Sequence, residues 1–167
     1  MTAVIVFVLG SDSDLPQLEG ATAALGELEV PFGVRILSAH RTPKEAQEFA
    51  EGARGAGVRA IIAGAGMAAH LAGVLAAHTS LPVLGVPMAG GALEGLDALY
   101  STVQMPGGVP VATFGIGKAG AKNAALFAVR MLANDDEALR GRLEAWIADQ
   151  GDRVRAKDAE VRKRYGG

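Results

Sequence analysis

Cysteine is absent from the chain. That absence removes disulfides, thiolate metal ligands and a cysteine nucleophile together, and it fits a reducing cytoplasm. Aromatic residues are scarce, at 5%, so the core must be built from aliphatic and small side chains. No apolar run reaches the ~18 residues of a membrane span without small or polar breaks, so no transmembrane helix is expected. The first residues, Met1-Thr2-Ala3-Val4-Ile5-Val6, lack a charged n-region and run directly into a strand, so no signal peptide is expected. No basic block precedes the last few residues, and the net charge is −2. Nucleic acid and anionic membrane are therefore not expected as partners. Only three histidines occur, dispersed and outside any HExxH pattern, which argues against a zinc site. The GxxxxGK[ST] and GxSxG patterns are also missing, so neither phosphate-loop nor α/β-hydrolase chemistry is supported.

What is present suits an ordinary globular protein. The chain has 167 residues, 50% hydrophobic and 20% charged, enough for one domain with a proper core. Glycine (23 residues) and alanine are abundant. Small residues let backbones approach closely, but they make a thin core for a monomer, so composition favours an oligomer.

Apolar runs alternate with helical stripes along the chain. Val4 to Leu9, Val34 to Leu37, Arg59 to Ala63, Pro82 to Val86 and Val109 to Phe114 read as strands. Between them, Asp14 can cap a first helix carrying Leu18, Ala21, Leu25 and Leu28. Thr42-Pro43 opens a second, residues 67 to 77 a third, Leu93 to Val103 a fourth and about Ala119 to Leu132 a fifth. Gly64-Ala65-Gly66 reads as a tight turn. Strict alternation predicts an α/β fold, a three-layer doubly wound parallel sheet of flavodoxin-like order. Ligands of such sheets sit beyond the C-terminal ends of the strands.

Residues 134–167 form a separate helical extension to an α/β domain over residues 1–133. Acids lead it and bases end it, which suits the helix dipole. Leu139, Leu143, Trp146 and Ile147 give it a narrow apolar stripe, and Gly151 is expected to bend or break it. The stripe packs either on its own domain or, as an arm, on a neighbouring subunit.

Polar residues cluster where strands end. Gly10-Ser11-Asp12-Ser13-Asp14 follows the first strand. Ser11 and Ser13, with backbone N–H groups, suit phosphate oxygens. A carboxylate repels phosphate, so Asp14 suits ribose hydroxyls, unless it serves only as a cap. Ser38-Ala39-His40-Arg41-Thr42-Pro43 follows the second strand. Imidazole there can move protons, and the planar guanidinium of Arg41 matches a phosphate. Gly64-Ala65-Gly66-Met67-Ala68-Ala69-His70 follows the third strand. It lacks the third glycine of a dinucleotide fingerprint, but can offer backbone donors to a small anion, with His70 nearby. His78 reads as a surface or helix C-terminal residue. Gln104 to Pro110, with two prolines and two glycines, is either a rigid connection or a wall over a ligand.

These motifs, in this order, resemble the PurE family of carboxyaminoimidazole ribonucleotide mutases. The matching pieces are GSDSD at 10–14, SAHRTP at 38–43, IIAGAG at 61–66, AAHL at 68–71, LPVLGVP at 81–87, GLD at 95–97, QMPGGVPVAT at 104–113 and KNAAL at 122–126. The resemblance implies transfer of a carboxylate from the exocyclic nitrogen of an imidazole ribonucleotide to ring carbon four, in purine biosynthesis. It implies no ATP, metal or organic cofactor. It further implies that Ser11, Asp14 and Arg41 bind the ribose phosphate and that His40 is the general acid and base. Ser38 and the Ala65-Gly66 backbone would line the base and carboxylate pocket, with His70 nearby. A cytoplasmic homo-octamer with shared sites is implied as well.

One branch of that family carries Arg after the site histidine and the AAHL segment, as here, while the other carboxylates aminoimidazole ribonucleotide directly with CO2. Departures from the family pattern are Met67 where glycine is common, Ala72 where proline is common, Ala89-Gly90-Gly91 for a more polar stretch, and Leu15 for a larger residue. They bear on the shape of the carboxylate pocket. Direct carboxylation and a non-catalytic flavodoxin-type nucleotide-binding module are the rival readings.

Overall fold

Five apolar runs form a parallel sheet in the order β2-β1-β3-β4-β5. The strands are β1 (Ile5–Leu9), β2 (Phe32–Ile36), β3 (Ala60–Ala65), β4 (Val83–Pro87) and β5 (Ala112–Thr113). This computed structural model describes residues 3–166. Met1, Thr2 and Gly167 lie outside the described residues, and with them the start of the expected leaderless N-terminus and the last residue of the extension. The helices are α1 (Glu19–Glu27), α2 (Pro43–Ala53), α3 (Leu71–Ala77), α4 (Leu96–Val103), α5 (Gly117–Leu132) and α6 (Glu137–Tyr165). Chain contacts divide these elements into one unit ending at Ala128 and another beginning at Val129.

In the first unit, β1 is buried along its whole length, as expected of a strand covered on both faces. Its alternate residues serve different layers. Val6 and Val8 join Ile61 and Ala63 of β3 in one core with Ala46 and Ala50 of α2 and Leu71 and Leu75 of α3. Ile5, Phe7 and Leu9 point the opposite way and are fully buried. Right-handed crossovers to β2 on one side of β1 and to β3 on the other place α1 opposite α2 and α3. The result is the expected three-layer, flavodoxin-like sandwich.

Several local expectations need correction. Asp14 does not cap α1. A short 3₁₀ segment, Asp12–Gln17, intervenes, and its cap is Ser11, whose hydroxyl accepts the Ser13 N–H at 3.3 Å. The smaller serine fits the extended cap position directly after the strand turn. Gly64 and Ala65 finish β3 instead of forming a turn, because their backbones pair with Val86 and Pro87 of β4. The third helix occupies only Leu71–Ala77, after an irregular segment around Met67. The fourth begins at Leu96, after Gly95 in the left-handed region. Within the fifth apolar run the strand is only Ala112–Thr113, with the Phe114 N–H also donating to Gly85 of β4 at 2.9 Å, and Pro110 cannot donate to the ladder.

The second unit contains α6. Asp136 caps it by accepting the Leu139 N–H at 2.9 Å, and Gly166 ends it with φ 73°. Gly151 does not break it: the helix runs unbroken through that position. The loss of about 1 kcal/mol for a helical glycine is spread over flanking ion pairs, Arg153 to Asp149 at 2.6 Å and Arg155 to Asp152 at 2.6 Å. Leu139 and Leu143 are its buried residues.

Candidate active site

The chain leaves β1 toward β2 and returns past it to β3, so the loops after β1 and β3 diverge and leave a crevice. A cavity of about 550 Å3 fills it, reached by the loops after β1, β2, β3 and β4. All nine expected site residues line it: Ser11, Ser13 and Asp14 from the first loop, Ser38, His40 and Arg41 from the second, and Ala65, Gly66 and His70 from the third.

The first loop is pre-shaped by its own hydroxyls. Ser13 Oγ donates to Ser11 Oγ at 2.8 Å, and Ser11 Oγ donates to Asp12 at 3.3 Å. Asp14 is half-buried, and desolvation pushes its carboxyl above the ordinary value of 3.8, with the neighbouring Asp12 charge adding to the rise. A carboxylate so placed gains from hydroxyl donors.

The second loop is held by Ser38 and Thr42. Ser38 Oγ accepts the N–H groups of His40 at 3.3 Å and Arg41 at 3.1 Å. Thr42 Oγ1 in turn accepts the Ser38 N–H at 2.9 Å and donates to its carbonyl at 3.3 Å. Ser38 thus lines the cavity and also sets the backbone that aims His40 and Arg41. Both of those side chains are exposed. Arg41 meets no carboxylate among the described residues, which leaves its fork available to a ligand anion.

His70 ends the irregular segment before α3 and reaches back across the cavity. Its Nδ1 lies 2.8 Å from Nε2 of His40, with the rings edge to face at 84° and centroids 4.9 Å apart. One nitrogen of the facing pair donates and the other accepts, so the contact orients the rings and couples their tautomers. The histidines are thirty residues apart, |i−j|=30, and only the adjacency of β2, β1 and β3 brings them together.

Gln17 is a site residue that the sequence does not announce. Its side-chain amide clamps Ala89, donating to the carbonyl at 3.2 Å and accepting the N–H at 3.0 Å. The clamp ties the first loop to the fourth, across 72 positions, and no local pattern could have revealed it. Met67, in the left-handed region at φ 52°, also lines the cavity beside Gly90 and Gly91. The Gln104 to Pro110 loop contributes nothing to the cavity lining. Its Met105 packs on Gly73 of α3 instead. His78 ends α3, with Nδ1 3.6 Å from Glu51, as expected of a helix C-terminal residue. No set of three or more His, Cys, Asp or Glu residues converges on a metal-sized site among the described residues.

Comparison with known proteins places the chain among relatives. The chain is 54% identical to the N5-carboxyaminoimidazole ribonucleotide mutase of Mycobacterium tuberculosis, over 95% of this chain and 90% of that protein. It is 51% identical to the enzyme of the same name from Escherichia coli K12, over 91% of this chain and 90% of that one. A crystal structure of Treponema denticola PurE superposes with a TM-score of 0.83 at 22% identity, covering 94% of this chain and 97% of that chain; it speaks for the fold. A profile of AIR carboxylases matches residues 4–153. With a match of that length, and half of the residues shared with relatives across nine-tenths of the chain, this protein belongs to the AIR carboxylase family.

Proposed function

We propose that the chain is an N5-carboxyaminoimidazole ribonucleotide mutase of purine biosynthesis. It moves a carboxylate from the exocyclic nitrogen of the ribonucleotide to ring carbon four, without ATP. The observation that carries this reading is one cavity in which a paired histidine faces phosphate-binding and ribose-binding groups.

Ser11, Ser13 and Arg41 hold the phosphate, and Asp14 accepts hydrogen bonds from ribose hydroxyls. Remote binding of this kind orients the imidazole ring against His40. Protonated His40 donates its proton to the exocyclic nitrogen as the N–carboxylate bond breaks. The products of that step are CO2, a neutral amine and neutral His40. Ring carbon four then attacks the CO2, and His40 removes the proton from that carbon. Rearomatisation yields the 4-carboxylate and restores protonated His40, so one imidazole closes the proton cycle. His70 positions His40 for both transfers, while Ser38 and the Ala65-Gly66 backbone shape the pocket for the base and carboxylate.

The family description itself favours a second reading, direct carboxylation of aminoimidazole ribonucleotide with CO2. Supplying each ribonucleotide separately, without ATP, tests the choice. The mutase converts the N-carboxylated substrate at trace CO2; a direct carboxylase works on aminoimidazole ribonucleotide and requires added CO2.

The working form is a cytoplasmic homo-oligomer, an octamer by family resemblance. Its support is the absence of cysteine and the exposed apolar side chains Phe32, Val34 and Ile36 along edge strand β2, which a partner surface would cover.

A further inference from the structure

The loop between β4 and α4 leaves the sheet and comes back to where it started. Its two ends touch: a Cβ built on Gly95 would lie 3.0 Å from the carbonyl oxygen of Met88 and 3.3 Å from the Cα of Ala89. Glycine at φ 92° permits that approach. The stretch from 90 to 94 is therefore an Ω-shaped excursion on a closed neck. Below the neck, Met88 is buried and its N–H donates to the Ala65 carbonyl at 2.8 Å. Above it, Gly90 and Gly91 line the cavity.

Gln17 grips the neck from outside the loop. Its half-buried side-chain amide takes both backbone groups of Ala89, as a paired strand would, with bonds of 3.2 Å and 3.0 Å. Gly117, at φ 73°, passes close to the amide: a Cβ there would come within 3.2 Å of Gln17 Oε1 and 3.5 Å of the Ala89 side chain. The amide is thus seated between Ala89 and Gly117 and does not lie loose on the surface. Gln17 also ends the 3₁₀ segment that carries Asp14, the group assigned to the ribose. One side chain so joins the first loop to the fourth. Glycine loses more backbone entropy on ordering than any other residue, and Gly90 and Gly91 stand in succession. A loop fixed before the ligand arrives relieves the ligand of that cost.

We propose that Gln17 is a positioning residue that holds the Gly90-Gly91 edge of the cavity in place before the ribonucleotide enters, and so sets affinity and not the rate of the chemistry. The inference rests on the mutase reading. Without the clamp the loop occupies its binding-competent position only part of the time, and apparent affinity falls by that fraction. Bound ribonucleotide restores the position, so the proton transfers at His40 proceed as before.

The test compares wild type with two variants. Gln17→Met keeps the length and loses both hydrogen bonds; Gln17→Glu keeps the acceptor for the Ala89 N–H and loses the donor. Steady-state kinetics on the N-carboxylated substrate give KM and kcat, and hydrogen–deuterium exchange of the ligand-free enzyme follows residues 88–94. Gln17→Met raises KM about tenfold, the scale of one or two net hydrogen bonds, and leaves kcat within about twofold. It also speeds exchange in that segment. Gln17→Glu falls between it and wild type in both KM and exchange. A merely structural Gln17 would lower the melting temperature and the active fraction, hence the apparent kcat, at unchanged KM. Unchanged KM or unchanged exchange in Gln17→Met overturns the proposal, whatever the melting temperature. Wild type that forms no 4-carboxylate overturns the mutase reading beneath it, and faster exchange in Gln17→Met separates that failure from a failure of the clamp.

Discussion

Single side chains divide the labour at the site, and three substitutions separate their roles. In the proposed mechanism His40 carries both proton transfers, so His40→Asn lowers turnover by at least about 10²-fold, the lower end for acid–base catalysis, with the fold unchanged by circular dichroism. Near-normal turnover would remove His40 from the mechanism. Arg41 is proposed to hold the remote phosphate, so Arg41→Ala raises KM far more than it lowers kcat in steady-state kinetics. Asp14 has a pH signature. Its carboxyl is raised above 3.8 by burial and by Asp12, so the folded state holds the proton more tightly than the unfolded chain does. That contribution to stability is complete below 3.8 and is lost as pH rises through the raised value. Asp14→Asn is therefore more resistant to urea than wild type at neutral pH, an advantage that vanishes at the acid end of the window. The same substitution weakens substrate binding, as expected where binding chemistry and stability conflict.

Elements were legible in the sequence wherever one pattern dominated. The unbroken apolar run of β1 and the Thr42-Pro43 start of α2 stand as read. Boundaries slipped where backbone geometry outweighed pattern, as in the 3₁₀ segment capped by Ser11 and the irregular stretch around Met67 before α3. Gly151 misleads because a glycine's local cost is visible in sequence, whereas the neighbouring ion pairs that offset it appear only once the helix forms. Two helical glycines make the point testable. A Cβ at Gly120, in α5, would collide with the carbonyl of Gly115, and backbone cannot swing aside. Gly120→Ala therefore destabilises by about 1–3 kcal/mol or more. Gly52, in α2, has open space around its Cβ position, and Gly52→Ala stabilises by about 0.4–1 kcal/mol. Denaturant midpoints of the two variants should move in opposite directions.

Across the whole molecule, the alternation of strands and helices gave the α/β class, five strands suited the flavodoxin-like order that is found, and the sheet order then explains the site. Every candidate side chain read from strand ends falls on one cavity because parallel strands deliver their C-terminal loops to a single edge. The contacts that tune that cavity were not legible. The His40–His70 pair and the Gln17–Ala89 clamp join residues far apart in sequence, and neither has a spacing signature. The central claim is that the carboxylate travels within one closed site. It is tested most directly by supplying substrate labelled in its carboxylate carbon, without ATP, in unlabelled bicarbonate. The account predicts a product that keeps the label on the carboxylate at ring carbon four. Product carrying unlabelled carboxylate would contradict it and establish reaction with free CO2.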